Sequence, residues 1–150
     1  MHKLLGIVIL LFALNCKSSE NKAKMTKEAI VLIGKGNLYG SGSEGIEKQN
    51  LIITSPKEWK DLLNKMNAVN KVSDSFSETD IDFSEYTVIA VFDEVKNSGG
   101  HSLNLVIQET KDKFLVEVLR KSPDGIATSV MTQPYYIVKV PKGELPIVFE

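Results

Sequence analysis

Residues 87–92 read TVIAVF. The run has none of the polar alternation of a strand with one face in water, so it predicts a central strand covered on both faces. Downstream, Leu103, Leu105 and Ile107 alternate with Asn104, Val106 and Gln108. After the polar turn Glu109–Lys113, Phe114, Val116 and Val118 alternate in the same way, and the two runs predict a hairpin. Tyr136–Val140 is a further strand ended by Pro141, and Ile147-Val148-Phe149 closes the chain.

Upstream of the central run, Asn70–Ser84 is a polar, acidic connection interrupted by Phe76, Ile81 and Phe83. Before it lies the clearest local signal, Ser55-Pro56-Lys57-Glu58. Ser55 can cap a helix, Pro56 suits the first turn and Glu58 completes a capping box. Trp59, Leu62, Leu63 and Met66 then recur at helical spacing on one apolar face, which predicts a helix over about 56–67. Ile46–Thr54 reads as a strand, and so does the β-branched run Ala29–Ile33. Between them, the glycines at 34, 36, 40, 42 and 45 predict a flexible hairpin connection. The sum is an α+β, β-rich domain over 29–150: a mostly antiparallel, sandwich-like sheet with one main helix covering part of it.

The first 28 residues read differently. Met1-His2-Lys3 is a short basic stretch, and Leu4–Leu14 is an apolar run of eleven residues. A transmembrane helix needs about 20 such residues, whereas a secretory signal needs about 7–15. Ala13-Leu14-Asn15-Cys16 places the only cysteine directly behind that run, as a lipoprotein signal peptidase requires, although Ala13 and Asn15 make a loose lipobox. A lone thiol in an oxidising compartment is a liability that lipidation removes. The expected organisation is therefore a signal peptide over 1–15, lipidation on Cys16, and a polar tether over 16–28 that buries too little to order itself. Lys17 is not the aspartate that retains enteric-type lipoproteins at the inner membrane, so the outer membrane is the expected address.

Charge narrows the partners. The chain carries 18 Lys and Arg against 19 Asp and Glu, which suits neither nucleic acid nor a polybasic membrane contact. The glycine stretch follows neither the P-loop nor the dinucleotide pattern, and a strand rather than a helix comes after it. His101 is the only histidine beyond the signal segment, with Ser98, Ser102 and Asp93 nearby in sequence. A nucleophile and base so close on one loop rarely reach triad geometry, and no G-x-S-x-G elbow is present. One histidine with scattered carboxylates does not make a zinc site, and the acidic group at 80–84 lacks the glycine and glutamate of a calcium loop. No catalytic residue, metal or cofactor is expected.

Two segments suit recognition. Asn97-Ser98-Gly99-Gly100-His101-Ser102 joins two strands through a double glycine that permits φ > 0 and close approach. Gln133, Pro134 and Tyr135 put an aromatic beside a proline at a strand entrance, as interface anchors often are.

The same segments carry a resemblance. Leu51-Ile52-Ile53-Thr54-Ser55 with Glu58-Trp59, then Ile81-Asp82-Phe83-Ser84, Thr87–Phe92, Ser98-Gly99-Gly100 with Ser102, and Thr132-Gln133-Pro134-Tyr135 with Ile137–Lys142 follow in the order of PrcB-type protease-complex subunits, over about 40–150. The family is one of bacterial lipoproteins whose name-giving member associates with and stabilises a surface protease complex. The resemblance implies a non-enzymatic, membrane-anchored partner of an extracytoplasmic protease or other envelope protein. His101 departs from it, standing where the family usually has tyrosine. The Gly99-Gly100 loop also resembles the wedge of chagasin-type inhibitors, which implies protease inhibition as an alternative. A lipid-anchored hydrolase using His101 is a third reading.

Overall fold

The computed structural model describes residues 29–150. The expected signal peptide, Cys16 and tether lie outside the described residues. The TVIAVF run sits inside strand β3, Tyr86–Phe92, and its side chains divide by parity. Val88, Ala90 and Phe92 enter one hydrophobic cluster, while Ile89 and Val91 enter a second on the opposite face. All five are fully buried, so the run is apolar because both faces are covered.

Strands numbered along the chain are β1 Val31–Leu38, β2 Gln49–Ile53, β3, β4 Ser102–Glu109, β5 Phe114–Lys121, β6 Gln133–Pro141 and β7 Ile147–Phe149, with helix α1 over Pro56–Met66. They form a four-stranded sheet in the order β1-β6-β3-β2 and a three-stranded sheet in the order β4-β5-β7. All pairings are antiparallel except β5 with β7. The β-rich α+β reading with one main helix and a mostly antiparallel sandwich therefore holds. Among the described residues no helix is long and apolar enough to cross a membrane.

The larger sheet separates two cores. On one face, Trp59, Leu62 and Met66 of α1 pack with Ile81 and Phe83 against Ile53, Phe92, Tyr135 and Ile137. On the other, Leu103, Val116 and Val118 of the smaller sheet pack against Ile89, Val91, Val138 and Val140. The helix starts as expected: Glu58 N–H donates to Ser55 Oγ at 3.3 Å, and the Glu58 carboxylate accepts from Thr54 N–H at 3.2 Å. The acidic connection is pinned rather than loose. Trp59 Nε1 donates to Thr79 O at 2.8 Å, and Lys139 pairs with Glu78 at 2.6 Å beneath the Tyr86 ring.

Three expectations need correction. First, β1 does not stop at Ile33 but continues to Leu38 through two glycines. A Cβ on Gly34 would collide with the ring of Phe76, which stacks on Trp59 and meets Tyr135 at a tilt; glycine at this position marks close approach, not a loop. Second, the glycine-rich stretch is not a hairpin. It joins β1 to β2, the two opposite edges of one sheet, and so crosses that sheet's end. Its tight turns, Ser43 N–H to Gly40 O and Gly45 N–H to Gly42 O, lie within that crossing. Third, β6 begins at Gln133 and includes Pro141. Pro141 is tolerated because β1 has already ended opposite Lys139, so the side on which an N–H is missing faces no partner strand.

Candidate interaction site

β1 ends, β3 ends and β6 begins at the same end of the larger sheet. There the segments 93–101 and 122–132 lie against each other. Lys96 and Thr132 exchange two backbone hydrogen bonds, at 2.7 and 3.0 Å, and Gly99 N–H donates to Thr128 O at 3.0 Å. Thr132 Oγ1 adds a bond to Ser98 O at 2.8 Å. Gly99 is buried in this seam, where a Cβ would strike Thr128 Oγ1. Gly100 is exposed at φ +83, with Pro123 behind it. The double glycine thus has two separate causes: close approach at Gly99 and a left-handed turn at Gly100.

Beneath the seam, Asp93 N–H donates to Pro134 O at 2.9 Å. An antiparallel pair of this kind normally exchanges a second bond, but Pro134 has no N–H to give. The Gln133 side chain supplies the missing donor: its Nε2 reaches Asp93 O at 2.9 Å and Ile46 O at 2.7 Å. Gln133 and Tyr135 are 1 % and 3 % exposed and Pro134 is fully buried, with the Tyr135 ring packed against Phe76 and Phe92. The expectation that Gln133, Pro134 and Tyr135 present side chains to a partner is corrected accordingly, because they are core residues that support the seam from below. Burial also holds the Tyr135 hydroxyl above its usual pKa, against a hydrogen bond with Ser75.

Asp93 anchors the same end electrostatically. Its buried carboxylate lies 3.4 Å from Lys48 Nζ, 3.2 Å from Lys96 Nζ and 3.5 Å from Arg120 Nε, which joins it to the second sheet. Burial alone would raise its pKa; the Glu94 backbone N–H, Lys96 and Lys48 outweigh that and hold it below the usual value. Glu94 shares two of the cations, at 3.5 Å to Lys48 and 2.7 Å to Lys96.

Ser98 and His101 are both partly buried and do come together, Oγ to Nε2 at 3.1 Å. Asp93 is committed to its three cations, and no contact of the described residues places a carboxylate on His101. The pair orients the loop and lacks the third member of a triad. Ser102, exposed, opens β4.

The solvent-facing side mixes polar residues, Asp124, Thr128 and Ser129 among them, with three exposed apolar ones. Ile126 is fully exposed, and Val130 and Met131 are about two-fifths exposed on the segment clamped to the glycine loop. Sequence reasoning missed this segment. Its signal is Pro123-Asp124-Gly125, a turn followed by apolar residues that fit neither strand nor helix periodicity.

Residues 87–141 match the family model described as PrcB C-terminal. The matched span runs from β3 through β6 and so contains the glycine loop, the clamped segment and the Gln133-Pro134 pair. The resemblance to PrcB-type subunits is borne out over that span. No curated protein and no solved structure matches the chain.

Proposed function

We propose, from the match of residues 87–141 to the PrcB C-terminal family model, that this chain is a non-enzymatic accessory subunit that binds and stabilises an extracytoplasmic protease complex. Lipid on Cys16 would hold it to the cell envelope, at the outer membrane. The family match is the observation that carries the reading, and the seam gives it a surface. The segments 93–102 and 122–132 are held together by backbone bonds at Lys96, Gly99, Thr128 and Thr132, so little ordering entropy is lost when a partner docks. Ile126, Val130 and Met131 offer the apolar contact. A tether raises the local concentration of the module near a membrane-bound partner, so modest intrinsic affinity suffices.

Cross-linking in intact envelopes followed by purification of the solubilised lipoprotein tests this. A protease should be recovered with the wild-type chain, and about tenfold less with Ile126→Asp, whose fully exposed side chain contributes nothing to the core. Cys16→Ser should leave the chain soluble after fractionation. Wild-type chain that brings down no protease would sink the association reading. The exposed glycine turn at Gly100 keeps one competitor in view, direct protease inhibition. Dose-dependent inhibition of a cysteine or serine protease by the purified chain would favour that reading instead.

A further inference from the structure

The larger sheet leaves β1 as an edge, and the geometry fixes which of its backbone groups are free. In an antiparallel ladder the N–H and C=O of one residue point the same way, and successive residues alternate. Pro134 O accepts from Asp93 N–H, so Pro134 turns toward β3 while Gln133, Tyr135 and Ile137 turn toward β1. Their partners there are Leu38, Gly36 and Gly34. Lys35 and Asn37 therefore point their N–H and C=O outward, away from β6. In the smaller sheet, Thr110 N–H donates to Lys113 O at 2.9 Å; the same alternation turns Ser102 and Asn104 toward β5 and Leu103 outward.

These two edges face a common slot of about 400 Å³, lined by residues 35–37, residues 102–104 and Tyr135. The Asn37 side chain stands inside it. Its Nδ2 reaches His101 O at 3.4 Å, while its Oδ1 is buried and accepts no hydrogen bond. The chain already uses this edge once: Ser77 donates its N–H to Ile33 O and its Oγ to Leu32 O, both at 2.9 Å. That strand-like cap stops two residues short of Lys35.

We propose that this slot binds an extended polypeptide segment, which pairs by backbone hydrogen bonds with Lys35 and Asn37 and gives a donor to Asn37 Oδ1. A row of alternate unpaired backbone groups recognises an extended chain in any sequence, and nearby side chains set preference. The slot adjoins the seam through His101, so a single partner can occupy both surfaces. The proposal rests on the association reading for the source of the segment, a strand or tail of the protease complex.

A phage-displayed library of twelve-residue peptides, selected on the detergent-solubilised full chain, tests the edge itself. Selected peptides should slow amide hydrogen exchange at Lys35 and Asn37. They should bind Lys35→Pro about tenfold more weakly, because that change removes an outward N–H, together with the Lys35 ammonium that lies 5.8 Å over the Tyr136 ring. Asn37→Ala, which deletes the buried acceptor without touching the backbone, should weaken binding too and guards against a proline variant that fails to fold. Lys60→Ala, on the exposed face of α1 and away from both surfaces, should bind the peptides as wild type does. The proposal is overturned if no peptide is selected, if the variants at 35 and 37 bind normally, or if protection falls on Asn50 and Ile52 of the opposite edge or on loop 97–102. Failure to recover a protease from envelopes counts against the association reading alone, since peptide binding is read separately.

Discussion

Gln133 and Pro134 work as one device. Proline at the start of a central strand removes a ladder donor, and a buried carbonyl left without one costs about 1–3 kcal/mol. Gln133 repairs the loss at Asp93 O and fixes Ile46 O with its second hydrogen, at 2.9 and 2.7 Å. Gln133→Ala should therefore lower stability by about 2–4 kcal/mol, read as a shift in the urea midpoint with unchanged slope. Asp93 next door makes stability depend on pH. Its carboxyl is held below 3.8 in the folded chain by the Glu94 N–H, Lys96 and Lys48, against the opposing effect of burial. A depressed pKa contributes stability that is present above the unfolded value and is lost as pH falls through the folded one. Asp93→Asn should thus cost about 1–3 kcal/mol at neutral pH, discounted because Lys48 and Arg120 are half in water. The gap between variant and wild type should close as pH drops below about 4. Urea midpoints from pH 3 to 7 decide it, and a gap that stays constant would refute the assignment.

At the scale of elements, local signals were legible and pairings were not. The helix over Pro56–Met66 follows from its cap and its 3.6-residue stripe, and the β4–β5 hairpin from two alternating runs around a polar turn. The glycines of β1 misled because Gly34 makes room for Phe76, which is distant in sequence. Nothing local announces that a Phe in an acidic connection will stack over a strand some forty residues earlier. The same limit explains the site. Ser98, Gly99 and Gly100 stand out in the sequence because a double glycine has few uses, and the structure places them against the segment that carries Thr128 and Thr132. Gln133, Pro134 and Tyr135 were read as a presented surface, since residue type does not reveal register; once β6 is paired on both sides, their burial follows.

On the scale of the whole molecule, the larger sheet is a shared wall. β3 gives Val88, Ala90 and Phe92 to the core beneath α1 and Ile89 and Val91 to the core beneath the smaller sheet. Neither core can loosen without moving a strand that the other depends on, so the two should melt together. The chain has one tryptophan, Trp59, buried in the helix-side core, which makes its fluorescence a reporter for that side alone. Leu103 lies in the opposite core, on β4, and is 5 % exposed. Leu103→Ala should cost about 2–5 kcal/mol, the range for truncating a buried leucine. If the wall couples the cores, Trp59 fluorescence and far-ultraviolet circular dichroism should shift to the same lower urea midpoint. A variant whose fluorescence transition stays at the wild-type midpoint while the dichroism moves would show the smaller sheet unfolding by itself. The seam binds the ends of both sheets through Asp93 and Arg120, so such a result would also mean that the interaction surface can open without global unfolding.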